Sequence, residues 1–163
     1  MLKIGIITAS DKGSQGERED LSAKAIQEET RELGEMVAYD VVPDEQNLLE
    51  AKMIEFTDVA QVNLLFTTGG TGFSPRDVTP EATLAVIERF VPGIGEVMRS
   101  ESLKVTPKAM LSRGIAGIRK KTLIINLPGS PKAVRECLRA ILPALPHGID
   151  ILLGQASECA GKE

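Results

Sequence analysis

The chain has 163 residues, 42% of them hydrophobic, enough to bury one substantial core and to imply a single globular domain spanning 1–163. Nineteen Lys and Arg against 23 Asp and Glu give a net charge of −4, with the cations spread along the chain. Four Phe, one Tyr and no Trp supply no stacking platform, so nucleic acid is excluded as the main partner.

Cys137 and Cys159 stand apart and His147 is the single histidine, which argues against a zinc site or a disulfide framework. The first apolar run, Ile4 to Ala9, breaks at Ser10-Asp11, too short for a membrane span or a signal core. The expected location is the cytoplasm.

In chain order, KIGIITA (3–9) is a short isoleucine-rich run expected of a strand buried on both faces of a parallel sheet. Ser10 and Asp11 fall at its carboxyl end, and KGSQGERE reads as a mobile loop. Asp20 can cap a helix carrying Leu21, Ala25, Ile26 and Leu33 inward, with Gly34 as its stop. Met36 to Val42 forms a second strand and leads into Pro43-Asp44-Glu45-Gln46. Leu49, Met53, Phe56 and Ala60 follow at helical spacing.

A third strand, Val62 to Thr67, opens into TTGGTGFSPRDVTPEAT (67–83). Gly69, Gly70 and Gly72 free the backbone for positive φ and let an anion approach main-chain N–H groups. Thr71 and Ser74 add hydroxyls, and Arg76 and Asp77 set opposite charges side by side. Thr79 suits an N-cap with Pro80 at the first helical position, and Leu84, Ile87 and Val91 mark the helix before the Pro92-Gly93 break.

Gly95 to Leu103 reads as helical, and Thr106-Pro107 starts a short helix ending near Gly114. Ile115–Arg119 and Thr122–Leu127 are linked only by Lys120-Lys121, which predicts an antiparallel hairpin and hence a mixed sheet. In Asn126-Leu-Pro128-Gly129-Ser130-Pro131-Lys132 a buried strand meets another cap-then-proline start, with Val134, Leu138 and Ile141 facing inward. Pro143 and Pro146 end that helix, and Ile149 to Leu153 is a last apolar segment. Cys137, Met98 and Met110 read as core, and His147 as a turn residue.

Alternating strands and helices define a three-layer α/β/α sandwich with a mostly parallel mixed sheet. Four loops, at Ser10/Asp11, Asp44, 69–77 and 126–132, leave carboxyl ends of strands, where open α/β sheets bind ligands. The glycine loop is not a P-loop, because Gly72 is followed by Phe73-Ser74 where Lys-Ser/Thr is required. It fails the dinucleotide fingerprint as well, with Pro75 at the third glycine position, and no Gly-x-Ser-x-Gly elbow is present. A glycine turn alone is often only a tight connection, and an aspartate such as Asp44 often only caps a helix.

GGTG followed by PRDVTPEAT, with PDEQ upstream and NLPGSPK downstream, resembles the molybdopterin adenylyltransferase (MogA/MoaB) family over nearly the whole chain. The resemblance implies that ATP and molybdopterin give adenylylated molybdopterin and pyrophosphate with Mg²⁺. It also implies a homotrimer and hand-off of the product to a metal-insertion protein. Matched by position, Asp44 and Asp77 correspond to the family's two functional aspartates and Gly69 to Gly72 to its phosphate loop. The chemistry agrees, since phosphoryl-type transfer needs backbone donors, a carboxylate-held metal and a cation. Asp44 and Asp77 are thus the candidate catalytic and Mg²⁺-holding residues, and Arg76 or Lys132 the candidate cation. Further nucleotide or pterin contacts are expected from Ser10, Asp11, Gly69, Gly70, Thr71, Gly72, Ser74, Thr79, Ser112, Asn126, Pro128, Gly129 and Ser130. Arg113, beside Ser112, could reach the pterin phosphate or be solvated. Alternatives are a non-catalytic molybdopterin-binding protein of the same fold and a nucleotide pyrophosphatase.

Overall fold

A computed structural model describes residues 1–17 and 19–155; Cys159 lies outside the described residues. Six strands form one sheet in the order β2-β1-β3-β6-β5-β4. They are β1 (Leu2–Ala9), β2 (Gly34–Val42), β3 (Leu64–Thr68), β4 (Arg89–Phe90), β5 (Ala116–Arg119) and β6 (Thr122–Leu127). β1 pairs in parallel with β2 and β3, and β3 in parallel with β6, whereas β5 is antiparallel to both β6 and β4. The Lys120-Lys121 hairpin and the mixed sheet are as the sequence predicts.

Side-chain alternation on these strands builds two cores, one on each face. Ile4, Ile6, Leu64, Phe66, Ile125 and Leu127 bury one face beneath α2 (Leu21–Thr30), α6 (Pro131–Ile141) and α7 (Leu145–Leu152). Ile7, Leu65 and Ile124 bury the other beneath α3 (Gln46–Ile54) and α4 (Thr79–Val86). Two helical layers over one sheet give the three-layer α/β/α sandwich. The shared direction of β1, β2, β3 and β6 places Ala9, Val42, Thr68 and Leu127 at one edge.

Several local expectations are corrected. The KGSQGERE loop begins with a helical turn, α1 (Asp11–Ser14), because the Ser10 hydroxyl accepts the Gly13 N–H at 2.9 Å. α2 ends at Thr30, and Gly34 opens β2 instead of stopping the helix; a Cβ there would overlap the Leu2 carbonyl. α4 ends at Val86 because Glu88 and Val91 donate N–H groups to Ile118 and Ala116, turning the chain into the short edge strand β4. Pro92 is the first residue of α5 (Pro92–Leu103), and Pro146 lies within the first turn of α7; both prolines start helices where a break was expected.

Leu21, expected to face inward, is exposed, as is Leu84, and Met110, read as core, is exposed in the 3₁₀ segment Pro107–Leu111. In α4 the buried positions are Thr79, Pro80, Ala82, Thr83 and Val86, which turns Leu84 outward. Met98 and Cys137 are buried as expected, whereas His147 lies inside α7 and not at a turn.

Candidate functional site

The glycine loop leaves β3 and is folded back on itself by its own backbone. Gly69 and Gly70 have φ of 88° and 69°, the left-handed region that glycine adopts freely. Thr79 closes the loop, its N–H donating to Gly70 O at 3.1 Å and its hydroxyl to Gly69 O at 3.0 Å. Thr79 is the first residue of α4, after Val78 at the N-cap; its hydroxyl serves the loop instead of the helix end. A Cβ on Gly70 would overlap Thr79 Oγ1 and lie 3.3 Å from Asp44 Oδ1.

The two aspartates approach this loop from separate elements. Asp44 follows β2, and its Oδ2 accepts the Asp11 N–H at 3.0 Å. Asp44 N–H returns a 3.0 Å bond to Asp11 Oδ1. Asp77 ends the glycine loop, with Oδ2 accepting the Ser74 N–H at 3.0 Å and standing 2.9 Å from where a Gly72 Cβ would be. Burial raises the Asp44 pKa, and the negative charges of Asp11 and Asp77 add to the rise. Asp44 therefore senses both carboxylates across the site.

Arg76 is committed rather than free. Its Nε and Nη2 fork onto Asp11 at 3.1 and 2.9 Å. That fork, followed by the Asp44 N–H, holds the Asp11 carboxyl below its usual value. Arg76 thereby ties the tip of the glycine loop to the start of α1. Lys132 is exposed and 3.9 Å from Glu136.

Two cavities flank the loop. The larger, about 680 Å³, is lined by Ser10, Asp44, Gly69, Gly70, Asp77 and Ser130, with Gly129 beside them. Ser130 caps α6 by accepting the Ala133 N–H at 3.1 Å, so a helix N-terminus also borders this cavity. The smaller, about 290 Å³, is lined by Thr71, Gly72, Ser112, Asn126 and Pro128. Asp11, Ser74, Arg76, Thr79 and Lys132 line neither. The buried Asn126 amide is already engaged, donating to Thr67 Oγ1 and Thr83 Oγ1 at 2.9 Å each and accepting from Ile115 N–H.

Sequence reasoning missed the far wall of the larger cavity. There Asp20 Oδ2 accepts from the Thr8 and Tyr39 hydroxyls at 2.5 and 2.7 Å. Burial, then the Asp20 carboxylate, raises the Tyr39 pKa, so this hydroxyl stays a donor. Tyr39 carries no local signal in the sequence beyond its place in the second strand. Arg113, read as a pterin contact or a solvated residue, is packed against the glycine loop instead. It donates from Nε to Gly72 O at 2.8 Å and from Nη2 to Asp77 O at 2.7 Å.

A glycine loop between two cavities at the carboxyl edge of the parallel strands is the arrangement of an α/β protein with its ligand site at that edge. The chain belongs to the family described as a probable molybdopterin-binding domain, whose model matches residues 5–147. It is 52% identical over 156 residues to the molybdopterin adenylyltransferase of Helicobacter pylori (strain J99), covering 94% of this chain and 89% of that one. Identity to the molybdopterin adenylyltransferase of Escherichia coli (strain K12) is 43% over 164 residues, covering 91% and 80%. Among solved structures, the molybdopterin biosynthesis enzyme MoaB of Thermus thermophilus superposes with a TM-score of 0.88 at 47% identity, covering 97% of this chain and all of that one.

Proposed function

We propose that this protein acts in molybdenum cofactor biosynthesis by adenylylating molybdopterin with ATP, releasing pyrophosphate. The carrying observation is the glycine loop itself: Gly69 and Gly70 open on the larger cavity and Thr71 and Gly72 on the smaller, so one loop faces both spaces. ATP phosphates would lie against the Gly69–Gly70 backbone and the α6 N-terminus, and the pterin in the smaller cavity near Ser112. The transferred phosphorus would then sit over the loop, where the pterin phosphate oxygen attacks and pyrophosphate leaves.

Among the described residues no group of three or more His, Cys, Asp or Glu side chains converges as a metal cage. Mg²⁺ does not require one, since it binds through one or two carboxylates together with substrate phosphates. Asp44 and Asp77, which line the same cavity beside the glycine loop, fit that donor set. Mg²⁺ held there would neutralise phosphate charge. Asp11 is occupied by Arg76 and acts by fixing Asp44. We further read the protein as a cytoplasmic homotrimer that hands its product to a metal-insertion protein.

The test is incubation with molybdopterin, ATP and Mg²⁺ and detection of adenylylated pterin and pyrophosphate. Asp44→Ala and Asp77→Ala should each lower the rate by about a hundredfold or more. Turnover at the wild-type rate in both folded variants would remove their assigned roles. Pterin binding without turnover would favour the non-catalytic reading, and free AMP without adduct a pyrophosphatase.

A further inference from the structure

Arg113 grips the glycine loop through its backbone, and none of its bonds there is to a side chain that the reaction needs. Its Nε donates to Gly72 O at 2.8 Å and its Nη2 to Asp77 O at 2.7 Å, so one planar guanidinium spans the start and end of the 72–77 segment. The Arg113 backbone N–H donates to Thr71 O at 2.9 Å. Nη1 pairs with Glu81 in the first turn of α4. Burial opposes ionisation of Glu81, and the Arg113 guanidinium overrides it, leaving the carboxyl below its usual value. Glu81 Oε2 is buried without a hydrogen-bond partner, so Arg113 is the contact that keeps this carboxylate charged in place.

Arg113 itself lines neither cavity, but the chain beside it borders the smaller one. Its neighbour Ser112 lines that cavity, together with Arg99 of α5. Arg99 Nη1 donates to Gly114 O at 2.7 Å and more weakly to Ser112 O at 3.4 Å, closing the 112–114 turn. A continuous set of bonds thus runs from Arg99 through that turn and Arg113 to Gly72 and Asp77. The cavity on one side and the carboxylate on the other share one rigid connector.

We infer that Arg113 is a positioning residue that fixes the glycine loop and Asp77 and couples occupancy of the smaller cavity to nucleotide binding in the larger one. It lines neither cavity and acts through the backbone it holds. Lysine cannot replace it, because an ammonium offers a point charge where two carbonyls in a fixed fork geometry must be bonded together. The inference deepens the adenylylation reading and rests on it for its kinetic consequence.

Two variants test it, Arg113→Lys and Glu81→Gln, read by amide hydrogen exchange and by kinetics. In Arg113→Lys the amides of residues 70–77 should exchange about tenfold faster while those of α3 stay unchanged, because only the loop has lost its anchor. The KM for ATP should rise about tenfold with the active-site concentration held equal, a shift that a merely misfolded fraction does not produce. In the wild-type protein molybdopterin should tighten binding of a non-hydrolysable ATP analogue, and Arg113→Lys should remove that tightening. Glu81→Gln retains an acceptor for Nη1 and should change each value by less than about threefold. Unchanged loop exchange in Arg113→Lys, or faster exchange with the wild-type ATP KM, would overturn the inference. If the wild-type protein itself fails to adenylylate while the loop still loosens in Arg113→Lys, the functional reading fails and the positioning role stands.

Discussion

Asp11 and Asp44 hold each other by reciprocal bonds, each backbone N–H donating to the other's carboxylate at 3.0 Å. They are 33 residues apart and lie at the ends of adjacent parallel strands, so the pairing locks two loops of the candidate site together. Their pKa values move in opposite directions, since Arg76 forks onto Asp11 while Asp44 is penalised first by burial.

Asp11→Ala removes the acceptor of both the Asp44 N–H and the Arg76 fork. Charge-assisted bonds of this kind justify an expected loss of about tenfold in adenylylation, with Asp44 itself untouched. Steady-state kinetics on the purified variant check it, and Asp11→Asn, which keeps one acceptor, should recover part of the loss.

Asp44 should destabilise the protein at neutral pH. Its folded pKa lies above the ordinary 3.8, so the penalty is absent below that value and fully present once pH exceeds the raised folded value. Asp44→Asn should therefore melt above the wild-type protein at pH 7, with the gap closing as pH falls toward 3.8. Melting curves at several pH values test this, and a variant that melts lower at pH 7 would contradict the sign. Asp11 runs the other way: the stability it supplies is present above 3.8 and lost as pH falls through its lowered folded value.

Gly70→Ala adds a Cβ at φ 69° that overlaps Thr79 Oγ1 and crowds Asp44 Oδ1. The strained conformation alone is expected to destabilise by about 1–3 kcal/mol. Because the displaced groups close the loop and carry the candidate carboxylate, activity should fall even at temperatures where the variant is fully folded. Chemical denaturation and an assay below the transition separate the two effects.

Asn126→Ala should act on stability before chemistry. The buried amide bonds Thr67, Thr83 and Ile115, linking β3, α4 and the start of β5. Truncation strands those partners and is expected to destabilise by about 2 kcal/mol. A variant as stable as wild type but inactive would instead make Asn126 a ligand contact.

The loops of the site were legible because they follow apolar runs whose type and length identify buried strands. The distribution of work among their residues was not. Thr79 carries a good N-cap signal, yet its hydroxyl is drawn 10 residues back to Gly69 O. Arg76 reads as a free cation and is held by Asp11, 65 residues away. Tyr39 gave no local signal, and Arg113 none for a bracing role, because what places them at the site is pairing with elements distant in sequence.

The sequence by itself determined the layers, the mixed sheet and the glycine loop, since apolar period and glycine or proline placement act over a few residues, and the family resemblance singled out the two carboxylates. Tertiary structure alone decided that Asp44 pairs with Asp11, that Arg76 serves Asp11, and that Arg113 braces the loop from behind. Those relationships are contacts between residues up to 65 positions apart, and only the packing of the parallel strands brings them within hydrogen-bonding distance.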